Sequence, residues 1–127
     1  MFFINGNASD NVLTGTDAPE IISGLGGNDT LLGGGANDIL YGGNDLDDLF
    51  GGVGSDLLFG GNGADILDGG SENDALYGDG GQDYLRGGAG ADRLDGGSGA
   101  DSAAYEASSA GVQVSLVTGV GKGGHAE

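Results

Sequence analysis

The sequence predicts an all-β solenoid built from eleven nine-residue units between residues 6 and 104. Three observations predict this fold: 32 of the 127 residues are glycine, a glycine returns at every ninth position, and an apolar residue follows it at a fixed distance. Each interior glycine would cost a helix about 1 kcal/mol, and the apolar residues show no 3.6-residue period. Short strands that are joined by glycine turns and stacked on one another satisfy the pattern instead.

The nine-residue frame is defined by three positions, counted from its glycine. Position 6 is aspartate in nine consecutive units, whereas the first two units have Asn11 and Glu20 there. Position 8 is leucine or isoleucine in ten units and Ala103 in the last. The glycines at position 1 are Gly6, Gly15, Gly24, Gly33, Gly42, Gly51, Gly60, Gly69, Gly78, Gly87 and Gly96. The aspartates at position 6 are Asp29, Asp38, Asp47, Asp56, Asp65, Asp74, Asp83, Asp92 and Asp101.

The order of residues within a unit predicts a turn followed by a short strand. Glycines at positions 1, 2 and 4 permit positive φ and close backbone approach, so that the carbonyls of a six-residue turn can converge. The aspartate adds negative charge to that turn. The next three residues form a strand whose middle side chain, at position 8, points inward because side chains alternate along a strand.

Units such as GGVGSDLLF, GGNGADILD and GGAGADRLD resemble the RTX, or haemolysin-type, calcium-binding repeat of secreted bacterial proteins. This resemblance implies a parallel β-roll in which two units complete one coil and the coils stack as two parallel sheets. It also implies that Ca²⁺ lies between loops two units apart, where each ion meets two aspartates. About seven ions are then expected, at the pairs 29/47, 47/65, 65/83, 83/101, 38/56, 56/74 and 74/92.

The charge of the chain also indicates a cationic partner. Twenty acidic residues against three basic ones give a net charge of −17, which repels nucleic acid and anionic membranes. Seven calcium ions would bring this charge to about −3, and backbone carbonyls would complete the six to eight oxygen ligands that Ca²⁺ takes. No apolar run approaches the roughly 18 residues that span a bilayer.

Composition argues against catalysis and against permanent disorder. The chain has no cysteine and only one histidine, His125, so it lacks thiolate chemistry and histidine pairs. Glycine-rich acidic chains are often disordered, but they lack a strict in-frame leucine. We therefore expect a non-catalytic chain that is disordered only without metal.

Some loops depart from the repeat at position 4. Ala36, Asp45 and Glu72 replace glycine there, and a left-handed turn accepts aspartate better than glutamate. The loop that begins at Gly69 is therefore expected to be the least secure calcium loop.

Both ends of the solenoid are expected to be atypical. Asn11 and Glu20 should make the first two units poor calcium binders, and residues 1–5 should form an N-terminal cap over the end. The apolar side chains of this cap are Phe2, Phe3 and Ile4. Residues 105–127 should form a capping strand and a tail, because apolar residues alternate with polar ones from Val112 to Leu116.

Positions 7 and 9 should point outward from the two sheets. One sheet is expected to display the rungs Ile39 and Tyr41, Leu57 and Phe59, and Ala75 and Tyr77; the other shows Thr30, Asp48, Asp68 and Arg86. The apolar rungs either pack on one another as good strand formers or provide a docking surface. We expect self-association, or docking of another domain, through the sheet that bears Tyr41, Phe59 and Tyr77.

The resemblance implies an extracellular module that is exported unfolded through a type I channel and folds in external calcium. Two alternatives stay open: an adhesive or surface-layer segment, and a non-catalytic appendage of a secreted protease, lipase or alginate epimerase. No C-terminal secretion signal is evident, so the chain is expected to be part of a longer protein.

Overall fold

The computed structural model describes residues 1–104, 113–116 and 120–121, and these residues form β-strands without any helix. None of them therefore provides a helix that is long and apolar enough to cross a membrane. The strands are β1 (Phe2–Asn7), β2 (Val12–Thr14), β3 (Glu20–Leu25), β4 (Thr30–Gly34), β5 (Ile39–Asn44), β6 (Asp48–Val53), β7 (Leu57–Asn62), β8 (Ile66–Ser71), β9 (Ala75–Gly80), β10 (Tyr84–Gly88), β11 (Arg93–Gly97), β12 (Ser102–Ala104), β13 (Gln113–Leu116) and β14 (Val120–Gly121).

The strands form two seven-stranded parallel sheets. Sheet 1 contains the odd-numbered strands in chain order, and sheet 2 contains the even-numbered strands. Leu40 pairs with Leu58, which pairs with Leu76, so the chain returns to the same sheet after 18 residues. Two units therefore complete one coil, and the predicted parallel two-sheet solenoid is confirmed, with about six coils.

A single column of side chains forms the core between the sheets. The described position-8 residues from Ile22 to Ala103 are completely buried, with 0% exposure. Ile4 and Leu13 at one end, and Val114 at the other, pack against this column but are only partly buried. Position 8 is therefore the inward position, as the sequence predicts.

The N-terminal residues differ from the expected cap. Ile4 pairs with Ile22, so it occupies position 8 one coil earlier, and β1 is a further rung of sheet 1. Phe2 and Phe3 are 64% and 70% exposed and do not cover the end of the solenoid. The reason is the nine-residue spacing: Ile4 precedes Leu13 by nine residues, so the repeat begins before Gly6, the first frame glycine. The count of eleven units is therefore approximate.

The C-terminal strand is confirmed over part of its predicted length. β13 pairs in parallel with β11, with Val114 opposite Leu94. Val114 is half-buried and Ser115 is exposed, as the alternation predicts. Val112 and His125 lie outside the described residues.

The outer face of sheet 1 carries a stack of aromatic rings. The ring centroids of Tyr41 and Phe59 are 5.1 Å apart, and those of Phe59 and Tyr77 are 5.2 Å apart, with planes inclined by 7° and 14°. The guanidinium of Arg93 lies 5.9 Å from the Tyr77 ring centroid. From β1 to β9, no outward residue at positions 7 and 9 of this sheet is charged.

The outer face of sheet 2 is mixed. It shows the expected polar residues, and Arg86 lies 3.7 Å from a carboxylate oxygen of Asp68. However, Phe50, Ile66 and Tyr84 are also between 36% and 45% exposed on this sheet. The sheets therefore differ in charge more than in apolar content.

Candidate metal centre

Each aspartate closes a turn that contains two left-handed residues. In the loop from Gly60 to Asp65, Gly61 has a φ of 99° and Gly63 a φ of 124°. These residues stand at positions 2 and 4, and the same two positions have positive φ in every loop from residue 24 onward. The turn geometry is thus a property of the repeat and not of single glycines.

The turn geometry is kept where glycine is missing. Ala36, Asp45 and Glu72 at position 4 have φ values of 70°, 77° and 73°. Leu25 and Asp79, at position 2, have φ values of 79° and 70°, which the repeat pattern did not predict. Such conformations are unfavourable for residues with a Cβ, so the stacked neighbours impose them.

The aspartates stack on one another along each side of the solenoid. Oδ1 of Asp65 accepts a hydrogen bond of 2.9 Å from the backbone N–H of Asp47, and Oδ1 of Asp83 accepts one of 2.9 Å from Asp65. In each bond the donor N–H lies in one coil and the accepting Oδ1 lies in the next coil. All nine aspartates accept such a bond. The structure brings together the seven predicted pairs at the 18-residue spacing.

The second carboxylate oxygen of each aspartate has no hydrogen-bond partner. Oδ2 is buried and unpaired in all nine aspartates, and these side chains are only 1 to 3% exposed. A buried carboxylate oxygen without a partner is costly, because it has left water without gaining a donor. Such an oxygen normally indicates a bound cation or another missing partner.

Position 1 of the loop has no room for a side chain. A Cβ built on Gly42 would lie 2.6 Å from Oδ2 of Asp47 and 2.6 Å from the carbonyl oxygen of Gly60 in the next coil. A side chain at position 1 would therefore collide with the aspartate and with the next coil. Glycine is required at this position by close packing and not by its φ.

Burial and mutual repulsion raise the pKa of the central aspartates. Burial, with a smaller contribution from neighbouring carboxylates, raises the pKa of Asp65, Asp74 and Asp83 to about 7, although the N–H donors act in the opposite direction. The same causes raise the pKa of Asp47 and Asp56 to about 6. The site thus disfavours its own negative charges unless a cation accompanies them.

The donor set fits a hard cation such as Ca²⁺. All candidate ligands are carboxylate and carbonyl oxygens, which Ca²⁺ prefers. No group of three or more His, Cys, Asp or Glu side chains in the described part of the chain is arranged to hold a metal. A site between two stacked aspartates would therefore need backbone carbonyls to complete its coordination.

The first two loops are built differently. Oδ1 of Asn11 accepts a hydrogen bond of 2.9 Å from the N–H of Asn7 in its own loop. Both carboxylate oxygens of Glu20 accept hydrogen bonds from Thr16, one from its N–H and one from its hydroxyl. Positions 2 and 4 of these loops do not have positive φ. The position-6 side chains are therefore satisfied within the protein.

Side chains at positions 4 and 5 also join successive loops. Oδ2 of Asp45 accepts the N–H of Gly27 at 3.2 Å, and Oε2 of Glu72 accepts the N–H of Gly54 at 2.5 Å. At position 5, Oδ1 of Asn28, Asn37 and Asn73 accepts an N–H from the following coil. Asparagine recurs at position 5, and this recurrence is the sequence signal that could have predicted these contacts. The departures at Asp45 and Glu72 therefore supply contacts between coils.

Comparison with known protein families matches residues 14–49, 41–76 and 68–103 to the RTX calcium-binding nonapeptide repeat (4 copies). These matches overlap and together cover well over half of the chain. No curated protein matches the chain. With its repeat, its stacked aspartates and this match, the chain belongs to the family of RTX calcium-binding nonapeptide repeats.

Proposed function

We propose that this chain is a non-catalytic module that folds around about seven Ca²⁺ ions, each held between loops one coil apart. The observation that carries the proposal is the buried, unpaired Oδ2 of all nine position-6 aspartates. Calcium would neutralise the paired carboxylates and supply the partner that each Oδ2 lacks. Folding and metal binding are then one event.

The proposed biological role is calcium-dependent folding outside the cell. At low cytosolic calcium the carboxylates repel one another and the chain is unfolded, which suits export through a type I channel. External calcium then drives folding. The wider role is either an adhesive or surface-layer segment or an appendage of a secreted protease, lipase or alginate epimerase.

The number of bound ions tests the stacking of the sites. Asp65 is stacked with Asp47 on one side and Asp83 on the other, so Asp65→Ala should remove two ions by native mass spectrometry. Asn11→Ala is the matched control and should remove none, because Asn11 belongs to a loop that satisfies its own side chain. Loss of only one ion from Asp65→Ala, with folding intact, would contradict sites shared between loops.

We also propose that calcium-loaded molecules associate through the outer face of sheet 1, with a second copy as the partner. This proposal is supported by the Tyr41–Phe59–Tyr77 stack and by the uncharged rungs of β1 to β9. Two molecules that each carry −17 without calcium can approach most easily through the uncharged rungs of this face. Neutralisation by calcium makes that approach easier still.

Sedimentation in calcium tests this association. Phe59→Lys places a charge in the centre of the stack and should weaken association while calcium-induced folding is unchanged. Phe50→Lys, on sheet 2, is the matched control and should leave association unchanged. Equal association of Phe59→Lys and wild type would remove the proposal for this face.

A further inference from the structure

The loop that begins at Gly60 contains an asparagine followed directly by a glycine, at Asn62 and Gly63. Asn5 is the only other asparagine in the sequence that precedes a glycine. An Asn-Gly pair is prone to spontaneous deamidation, because glycine has no Cβ to hinder attack by its own backbone nitrogen. Asn62 also lies three residues before Asp65, in the middle of the aspartate loops. A change of the main chain here would therefore affect a central pair of proposed calcium sites.

Deamidation of an Asn-Gly pair consumes only water. The backbone nitrogen of Gly63 loses its proton and attacks Cγ of Asn62, and the Cγ–Nδ2 bond breaks, so that ammonia leaves and a succinimide ring forms. Water then opens the ring at one of its two carbonyl carbons. Opening at Cγ leaves an ordinary aspartate, whereas opening at the main-chain carbonyl leaves isoaspartate. In isoaspartate the main chain runs through Cβ and Cγ and is one carbon atom longer.

In the folded solenoid, neighbouring coils hold both reacting groups. The N–H of Gly63 donates to the carbonyl oxygen of Gly80 at 3.0 Å. The side-chain amide of Asn62 donates to Oδ1 of Asn44 at 3.1 Å. Gly63 has a φ of 124°, and a Cβ built on it would collide with the carbonyl oxygen of Asp45. Asn62 is exposed to water, so these contacts and not burial must prevent the reaction.

We infer that Asn62 is a deamidation site that reacts while the chain is unfolded and is protected once the chain has folded. The inference rests on the proposed function, because calcium decides which of the two states is present. An unfolded Asn-Gly pair rotates freely into the geometry of attack, whereas the folded loop must first open. The modified fraction therefore records how long a molecule has been without calcium.

The isoaspartate product should disable the calcium loop. The loop around Gly63 is packed tightly against the coils on both sides. An extra main-chain carbon before Gly63 would shift Asp65 relative to Asp47 and Asp83, on which it is stacked. Isoaspartate formation at Asn62 should therefore remove two calcium ions. The aspartate product keeps the length of the main chain and should remove none.

The rate of the reaction is measured at pH 7.5 in calcium, in chelator, and in chelator with urea, which unfolds the chain whatever calcium does. A protease that cuts before aspartate releases residues 56–64, whose only asparagine is Asn62. Mass spectrometry of this peptide gives the rate of deamidation. Calcium should slow it at least about tenfold relative to urea, which corresponds to a local opening free energy of about 1.4 kcal/mol. Asn62→Gln is the matched control and should stay unmodified, because its longer side chain cannot form the same ring.

The calcium content of the products tests the consequence. The protease cuts again at the aspartate product but not at isoaspartate, which identifies the two forms after chromatographic separation. Once calcium is restored, native mass spectrometry should count two fewer ions on the isoaspartate form than on fresh protein. Asn62→Asp reproduces the other product and should bind the full number.

Two results would overturn the inference. One is deamidation at Asn62 that is no slower in calcium than in urea. The other is an isoaspartate form that binds as many calcium ions as fresh protein. A chain that keeps its β-structure in chelator, as seen by circular dichroism, would instead contradict the proposed function. The comparison of calcium with urea would then still measure the protection of Asn62.

Discussion

The first two loops and the nine aspartate loops occupy equivalent places in the solenoid but satisfy their position-6 side chains in opposite ways. Asn11 and Glu20 accept hydrogen bonds from position 2 of their own loops. The aspartates accept one N–H from the previous coil and keep Oδ2 buried without a partner. The first arrangement is complete without a ligand, whereas the second leaves one buried oxygen of each aspartate without a partner.

The difference lies in the backbone at position 2. Asn7 and Thr16 do not have positive φ, and their N–H groups reach the position-6 side chain. In a loop such as Gly60 to Asp65 the position-2 residue is left-handed, and Oδ2 of the aspartate receives no N–H. A left-handed turn thus removes a donor from the carboxylate, which leaves an oxygen site suited to a cation.

The largest expected effect comes from the core that both kinds of loop share. Leu58 is completely buried in the middle of the column, so Leu58→Asp should prevent calcium-induced folding, because it buries an unpaired charge. Leu13→Asp, beside the first loops, should be tolerated better, because Leu13 is only partly buried. Circular dichroism during a calcium titration measures both variants. Wild-type behaviour of Leu58→Asp would show that position 8 does not form the core.

The pH dependence of stability should distinguish the nine aspartate loops from the first two loops. Burial raises the pKa of Asp65, Asp74 and Asp83 from 3.8 to about 7 in the metal-free fold. A carboxyl group whose pKa is raised in the folded state stabilises the fold at pH values below its unfolded pKa. This contribution is lost as the pH rises through its folded pKa. In chelator, the free energy of unfolding should therefore be largest below about pH 4 and fall as the pH approaches 7.

Calcium binding should show the opposite pH dependence, because protons and calcium compete for the same carboxylates. The calcium concentration at half-saturation should rise as the pH falls below 7. Isothermal titration calorimetry in buffers of different ionisation enthalpy would detect the released protons. A half-saturation that does not change between pH 5 and 8 would contradict these aspartates as the ligands.

The smallest expected effect is the gain of one ion by the second loop. Thr16→Gly, Ala18→Gly and Glu20→Asp together restore the repeat residues at positions 2, 4 and 6. The restored loop should form a carboxylate pair with Asp38, whose Oδ1 already accepts the N–H of residue 20 at 2.8 Å. Native mass spectrometry should then count one more calcium ion. Thr16→Gly alone is the control and should add none, since the longer glutamate side chain remains.

Sequence alone predicted the parts of this structure that repeat. The inward position 8 follows from glycine and leucine at strict spacing, so it was predictable. The 18-residue stacking was implied by the resemblance to RTX repeats, because a nine-residue period alone does not fix how many units complete one coil. The role of β1 was missed because Ile4 lies in frame without a frame glycine before it. The contacts of Asp45 and Glu72 were missed because each joins a side chain to a backbone 18 residues away, which only the stacked coils bring close.

The most direct test of calcium-dependent folding is circular dichroism of the intact chain against free calcium at pH 7.5. The chain should lack most of its β-structure in excess chelator and gain it cooperatively at about 10⁻⁴ to 10⁻³ M calcium, the range of extracellular calcium modules. Magnesium at the same concentration should not replace calcium, because it holds its water and demands a tighter octahedral site. Full β-structure that persists in excess chelator would contradict the account, since the nine unpaired aspartate oxygens would then be tolerated without a cation.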